Sequence, residues 1–106
     1  MAAHDVQAVE LRFLDGDKGG VTKDPVAIAK IVEVLKWARE TASHKCMWHG
    51  KIFVRCRDGR EVELRFLPGH EPDWYEFRFE GKTYRVDRAS FLEAMGAMGV
   101  EMPLSC

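Results

Sequence analysis

The chain has no surplus of basic charge. Sixteen Lys and Arg stand against 17 Asp and Glu, for a net charge of -1. A protein that holds nucleic acid through its phosphates usually carries a basic excess. The balance therefore argues against a nucleic-acid partner, although it leaves room for a local patch. Long apolar runs are also missing. The longest candidate, Val26 to Ala38, is broken by Lys30, Glu33 and Lys36, well short of the roughly 20 residues that cross a bilayer. No membrane association is expected. Residues 1–10 carry His4, Asp5 and Glu10, unlike the apolar core of a secretory signal. Cysteines are few and odd in number: Cys46, Cys56 and Cys106. A disulfide scaffold uses more, in pairs. Three free thiols in the cytoplasm are expected, with Cys106 the most accessible. The alternative is a secreted domain whose signal peptide has been trimmed. There is no C-x-x-C, no H-E-x-x-H and no glycine-rich cofactor loop, so no cofactor is expected.

What is present is pattern. At 106 residues, 46% hydrophobic and 31% charged, the composition suits a single domain over residues 1–106. Residues 101–106 read as a flexible tail. From Lys51 to Val86 apolar and polar residues alternate. Ile52, Val54 and Cys56 share one parity, followed by Val62, Leu64 and Phe66, then Tyr75, Phe77 and Phe79, then Tyr84 and Val86. Period two places alternate side chains on opposite faces of a strand. Four such runs make an antiparallel meander with one buried face. Arg57-Asp58-Gly59-Arg60 reads as a two-residue hairpin, and Glu80-Gly81 as another tight turn.

Upstream, Val9, Leu11 and Phe13 mark a strand over about residues 7–14, ended by a loop with Gly16, Gly19 and Gly20. Asp24 caps and Pro25 opens a helix. Ile28, Ile31, Val32 and Leu35 form its stripe. A helix over residues 25–40 would be about 24 Å long. Asp87 caps a second, short helix with Phe91, Leu92 and Met95 inward. The fold class is α+β, an antiparallel β-meander of about four to five strands. One helix packs across it and a short C-terminal helix follows, in the order β-α-β-β-β-β-α. The layout resembles cystatin-like and similar α+β folds. Leu64 is expected deep beneath the first helix.

Three constellations bear on function. His44, Cys46 and His49, with Cys56 approaching from the next strand, offer zinc's preferred donor types. Their spacing is that of no known ligand set, and the same residues allow a thiol redox sensor or a Cys46–His49 nucleophile pair. Tyr75, Phe77 and Phe79 could form a base-stacking platform only if exposed and ringed by arginine, and their parity places them in the core instead. Arg55, Glu63, Arg65, Glu76, Arg78 and Arg85 share the opposite, polar face. With Trp74 at its rim, that face resembles the arginine-and-aromatic composition of protein interfaces.

With no complete catalytic set, the expectation is a non-enzymatic, protein-binding or self-associating domain. Its partner is another protein or a second copy, a homodimer among the options, held by Arg65, Trp74 and Arg78. The alternative is a metal-binding or redox-sensing domain using His44, Cys46 and His49.

Overall fold

Alternating strands need one cover for their apolar side, and two helices supply it. The computed structural model describes residues 2–16, 19–42, 47–69 and 71–102. A short 3-10 turn, Ala3–Asp5, leads into β1 (Val6–Phe13) and β2 (Gly20–Thr22). The first helix, α1 (Pro25–Lys36), precedes β3 (Arg39–Thr41). The meander is β4 (Gly50–Cys56), β5 (Glu61–Pro68), β6 (Trp74–Phe79) and β7 (Lys82–Asp87), and α2 (Arg88–Gly96) closes the order. The described residues form one seven-stranded sheet in the order β2-β1-β4-β5-β6-β7-β3, antiparallel throughout.

The α+β class is as expected, but the strand count and order are not. Two three-residue strands were missed. Gly20-Val21-Thr22 lies where a pure loop was predicted, and pairs back onto Val9–Leu11. The first helix stops at Lys36, four residues earlier than predicted. Ala38 is followed by Arg39–Thr41, which pairs with Thr83–Arg85 of β7. Both strands cover backbone that a five-stranded sheet would have left open at its margins, a pressure that local propensity does not register.

The parities hold. Val9 faces Val54 and Val54 faces Val62; Leu11 faces Ile52 and Ile52 faces Leu64; Phe66 faces Phe77 and Phe77 faces Tyr84. One turn differs. Cys56 N donates to Arg60 O at 2.8 Å and Gly59 N donates to Cys56 O at 3.1 Å. The connection is therefore a three-residue loop, with only Gly59 at positive φ (93°). A two-residue loop would have shifted the register by one and set Val54 against Glu63, turning one strand's apolar side outward. At the β6–β7 turn both Glu80 (φ 51°) and Gly81 (φ 79°) are left-handed, as a two-residue type I′ turn requires.

The core forms between the sheet and both helices. Ile28 and Ile31 of α1, and Phe91, Ala94 and Met95 of α2, are buried against Val9, Leu11, Ile52, Phe66, Tyr75 and Phe77. The Phe91 ring lies 4.6 Å from Tyr75 and 5.0 Å from Phe77, centroid to centroid. Burial pushes the Tyr75 phenol well above its ordinary pKa. Gly50 is needed opposite Phe66, since a β-carbon there would stand 2.6 Å from the Phe66 ring. Asp24 accepts from Val26 N, and Asp87 accepts from both Ser90 N and Ser90 Oγ, so both predicted caps form. The Ser90 hydroxyl, with the Ser90 amide, holds the Asp87 carboxyl below its usual range. Met102, expected in a free tail, is buried with Val100 against the core.

Leu64 departs from expectation. It is only half-buried, as are Val32, Leu35 and Val62 around it. Phe91→Ala should cost about 3–5 kcal/mol, and Ile52→Ala about 2–5 kcal/mol. Leu64→Ala should cost clearly less than Ile52→Ala. Urea denaturation midpoints measure all three, and equal shifts for Ile52 and Leu64 would contradict the partial exposure described.

Candidate functional site

The half-buried residues line a cleft. Past Ile31, the apolar side chains of α1 pack against the core only in part. Two hollows of about 380 and 230 Å³ open beneath the helix. Leu35 and Leu64 line both, so they meet as one slot. Val32, Val54 and Val62 wall one end, with Lys36 at its mouth. Ala38, Phe77, Phe79 and Tyr84 wall the other. Glu40 pairs with Tyr84 across β3 and β7 and so faces the same side of the sheet. Its carboxylate is 61% exposed and lies 3.7 Å from Lys82 Nζ. The slot is thus apolar along its length, with the Tyr84 phenol at one end and Glu40 and Lys82, outside the lining, paired with Tyr84 and Phe79 beside that end. A larger hollow of about 640 Å³ lies between α1 and α2, along Val26, Ala29 and Ser90. It is more open to solvent and does not reach the sheet.

Among the described residues, neither α1 nor α2 packs on the opposite face of the sheet. Arg55 donates to Glu10 at 2.6 Å and to Glu61 at 2.9 Å. Arg12 bonds the same Glu10. These guanidiniums, Arg12 first, hold the Glu10 carboxyl below its ordinary range despite desolvation. Rings lie flat against cations here: Arg12 is 5.0 Å from the Phe53 centroid, Arg65 is 4.9 Å and Lys51 5.6 Å from Trp48, and Arg85 is 4.4 Å from Trp74.

The predicted site residues fall in different places. His44, Cys46 and Cys106 lie outside the described residues. His49 is described: its amide donates to Phe66 O and its carbonyl accepts from Leu14 N, both at 2.8 Å, extending the ladder beyond Gly50. Cys56 is a buried free thiol at the far end of the same strand. Seven residues separate them, about 23 Å along an extended strand. Cys56 therefore cannot complete a site with His49. Among the described residues no three His, Cys, Asp or Glu side chains gather where they could hold a metal. Arg65 and Arg78 stand opposite each other on the bare face, and Trp74 lies on that face beside Arg85. The cleft was missed. Its signal was the length of the α1 stripe against the width of sheet to be covered. No helix among the described residues is long and apolar enough to cross a membrane.

No protein-family model matches the chain, and no curated protein matches it. Among solved structures the chain is similar to a thioesterase-like protein from Clostridium sporogenes. The TM-score is 0.63 at 13% identity, covering 96% of this chain and 100% of that one. The likeness is one of fold, an antiparallel sheet packed against helices. This overturns the expectation of a non-enzymatic protein-binding or self-associating domain, and of a metal-binding or redox-sensing one in its place. Those readings rested on the lack of a complete catalytic set, whereas the chain is similar in fold to a thioesterase-like protein. The error lay in seeking a contiguous motif, whereas the cleft is assembled from α1, Ala38 after it and the meander.

The Glu10 pairing has a pH consequence. A carboxylate whose pKa is lowered by folding stabilises the protein above its unfolded value, near 4.3. That contribution is lost as pH falls through the lower folded value. Glu10→Gln should lose about 1 kcal/mol or less at pH 7, since solvent reaches the arginines. The gap from the parent should close on acidification. Thermal melts of both proteins from pH 7 to pH 2 test this, and a gap that widened would contradict the assigned pairing.

Proposed function

We propose that the chain is a hydrolase of acyl thioesters. The observation that carries the reading is the apolar slot beneath the end of α1, with Tyr84 lining one end and Glu40 and Lys82 paired across the strands with its lining residues Tyr84 and Phe79. The likeness to a thioesterase-like protein supports it at the level of fold. An acyl chain lies along Leu35, Leu64 and Phe77, where removal from water rewards it by about 0.8 kcal/mol per methylene. The thioester group then rests at the mouth. Glu40 takes a proton from a water whose oxygen attacks the acyl carbon. The Tyr84 hydroxyl donates to the carbonyl oxygen as negative charge develops there. Collapse breaks the carbon–sulfur bond, and the departing thiolate recovers the proton from Glu40, giving a free acid and a free thiol.

A panel of thioesters with acyl chains of increasing length, followed by release of free thiol, tests the reading. Chains long enough to fill the slot should be preferred. Glu40→Gln should lower kcat by about 10²–10⁴-fold, the usual range for loss of a general base. Leu64→Trp, which fills the slot, should raise KM for long chains more than for short ones. No thiol release from any member, or full activity in Glu40→Gln, would end the proposal.

A further inference from the structure

A helix laid on a sheet usually shows solvent a polar side. The outer side of α1 departs from this. Val26 is 64% exposed there and Trp37 66%. Lys30 and Glu33, between them, are exposed as well. These four stand at i, i+4, i+7 and i+11, a line about 16 Å long on the side of the helix away from Ile28 and Leu35. Steps of four, three and four residues are the spacing of a seam between two helices. Glu33 accepts from Trp37 Nε1 at 2.9 Å, which holds the indole along this line. Among the described residues Lys30 makes no ion pair. Beside the line lies the hollow of about 640 Å³ between α1 and α2, walled by Val26, Ala29, Val34 and Ala94. One surface thus carries both an exposed tryptophan, the side chain most enriched among interface anchors, and an apolar hollow to receive one.

A second copy of the chain answers every position of the line. Let two α1 helices lie antiparallel about a two-fold axis between residues 31 and 32. Val26 of each copy then meets Trp37 of the other, and Lys30 of each meets Glu33 of the other. In the same register Ala29 meets Val34, both on the wall of the hollow. Apolar meets apolar and cation meets anion throughout. A carboxylate accepts from several donors, so Glu33 can take an ammonium and keep its indole. A parallel pair would set Lys30 on Lys30 and Glu33 on Glu33, which is repulsive. An anionic lipid surface would suit Trp37 and Lys30 but repel Glu33. We propose that two copies pair through this line, with Trp37 of each seated over Val26 in the hollow of the other. Such a contact is isologous and closes at two. It uses none of Arg65, Trp74 and Arg78. The slot is lined from the other side of α1, by Val32 and Leu35, so the pairing stands whether or not the slot hydrolyses thioesters.

Sedimentation velocity over a series of protein concentrations up to about 1 mM tests the pairing. A line of this length covers less than the usual area of about 800 Å² per partner, so a dissociation constant of about 10–100 μM is expected. A species of twice the chain's mass should grow in with concentration. Trp37→Ala should weaken it by about tenfold or more. Lys30→Glu and Glu33→Lys each bring like charges together twice, and each should also weaken it. The two changes combined restore opposite charges in the antiparallel register, so the double variant should pair more tightly than either single one. Arg65→Ala, on the opposite face of the sheet, should match the parent. If Trp37→Ala loses its circular dichroism spectrum, Val26→Asp replaces it, with the same loss expected. The proposal is overturned by a parent that stays monomeric at the highest concentration, including one that sediments with anionic vesicles instead. A folded Trp37→Ala that pairs like the parent would overturn it, as would a double charge variant no tighter than the single ones. Loss of pairing in Arg65→Ala alone would move the contact to the other face and overturn it too.

Discussion

A short helix must cover a wide sheet, and most of the molecule follows from that mismatch. The twelve residues of α1 extend about 18 Å, whereas seven strands at their usual separation extend about 29 Å. The second helix covers part of the shortfall, where Phe91 and Met95 sit over Tyr75 and Phe77. The remainder, over Val62, Leu64 and Phe79, stays partly open. A sheet fully roofed would have a larger core and no slot. The stability forgone at Leu64 is the condition for having an apolar slot beneath the helix.

The two faces of the sheet answer to different physics. Between sheet and helices, burial of apolar area sets position, and its exceptions are the slot residues. On the bare face water remains, and side chains are ordered by charge and by rings. Leu67 and Thr83 are nonetheless buried there, and Glu76 is only 7% exposed. The loop between β5 and β6 helps to close that side. Arg88 donates to Trp74 O at 3.0 Å and to Gly69 O at 3.1 Å, drawing both ends of the loop towards the start of α2. One guanidinium thus joins the helical layer to the strands beneath it.

Much of this was legible in the sequence where it depended on neighbours along the chain. Alternation gave the faces of β4 to β7, and Asp24-Pro25 and Asp87 gave both helix starts. What depended on partners across space was not legible. Gly20–Thr22 and Arg39–Thr41 have no pattern long enough to show a period, and become strands only because β1 and β7 offer them backbone. The cleft was missed because parity tells which side a residue faces, not how far a helix reaches over it. The alignment of Arg12, Lys51, Arg65 and Arg78 across four strands depended on pairing offsets. A signal did exist in the loop Arg57–Gly59: a three-residue connection there sets Lys51 against Arg65, and only the assumption of a two-residue turn hid it.

Two residues, Trp37 and Ala38, separate the end of α1 from β3. That strand is held by three residue pairs at the sheet's margin, and marginal segments with few contacts open at the lowest free-energy cost. Each opening of β3 carries Glu40 away from Tyr84 and slackens the end of the helix above the slot. The pairing that sets Glu40 against Tyr84 is thus an edge zipper, apart from the buried centre.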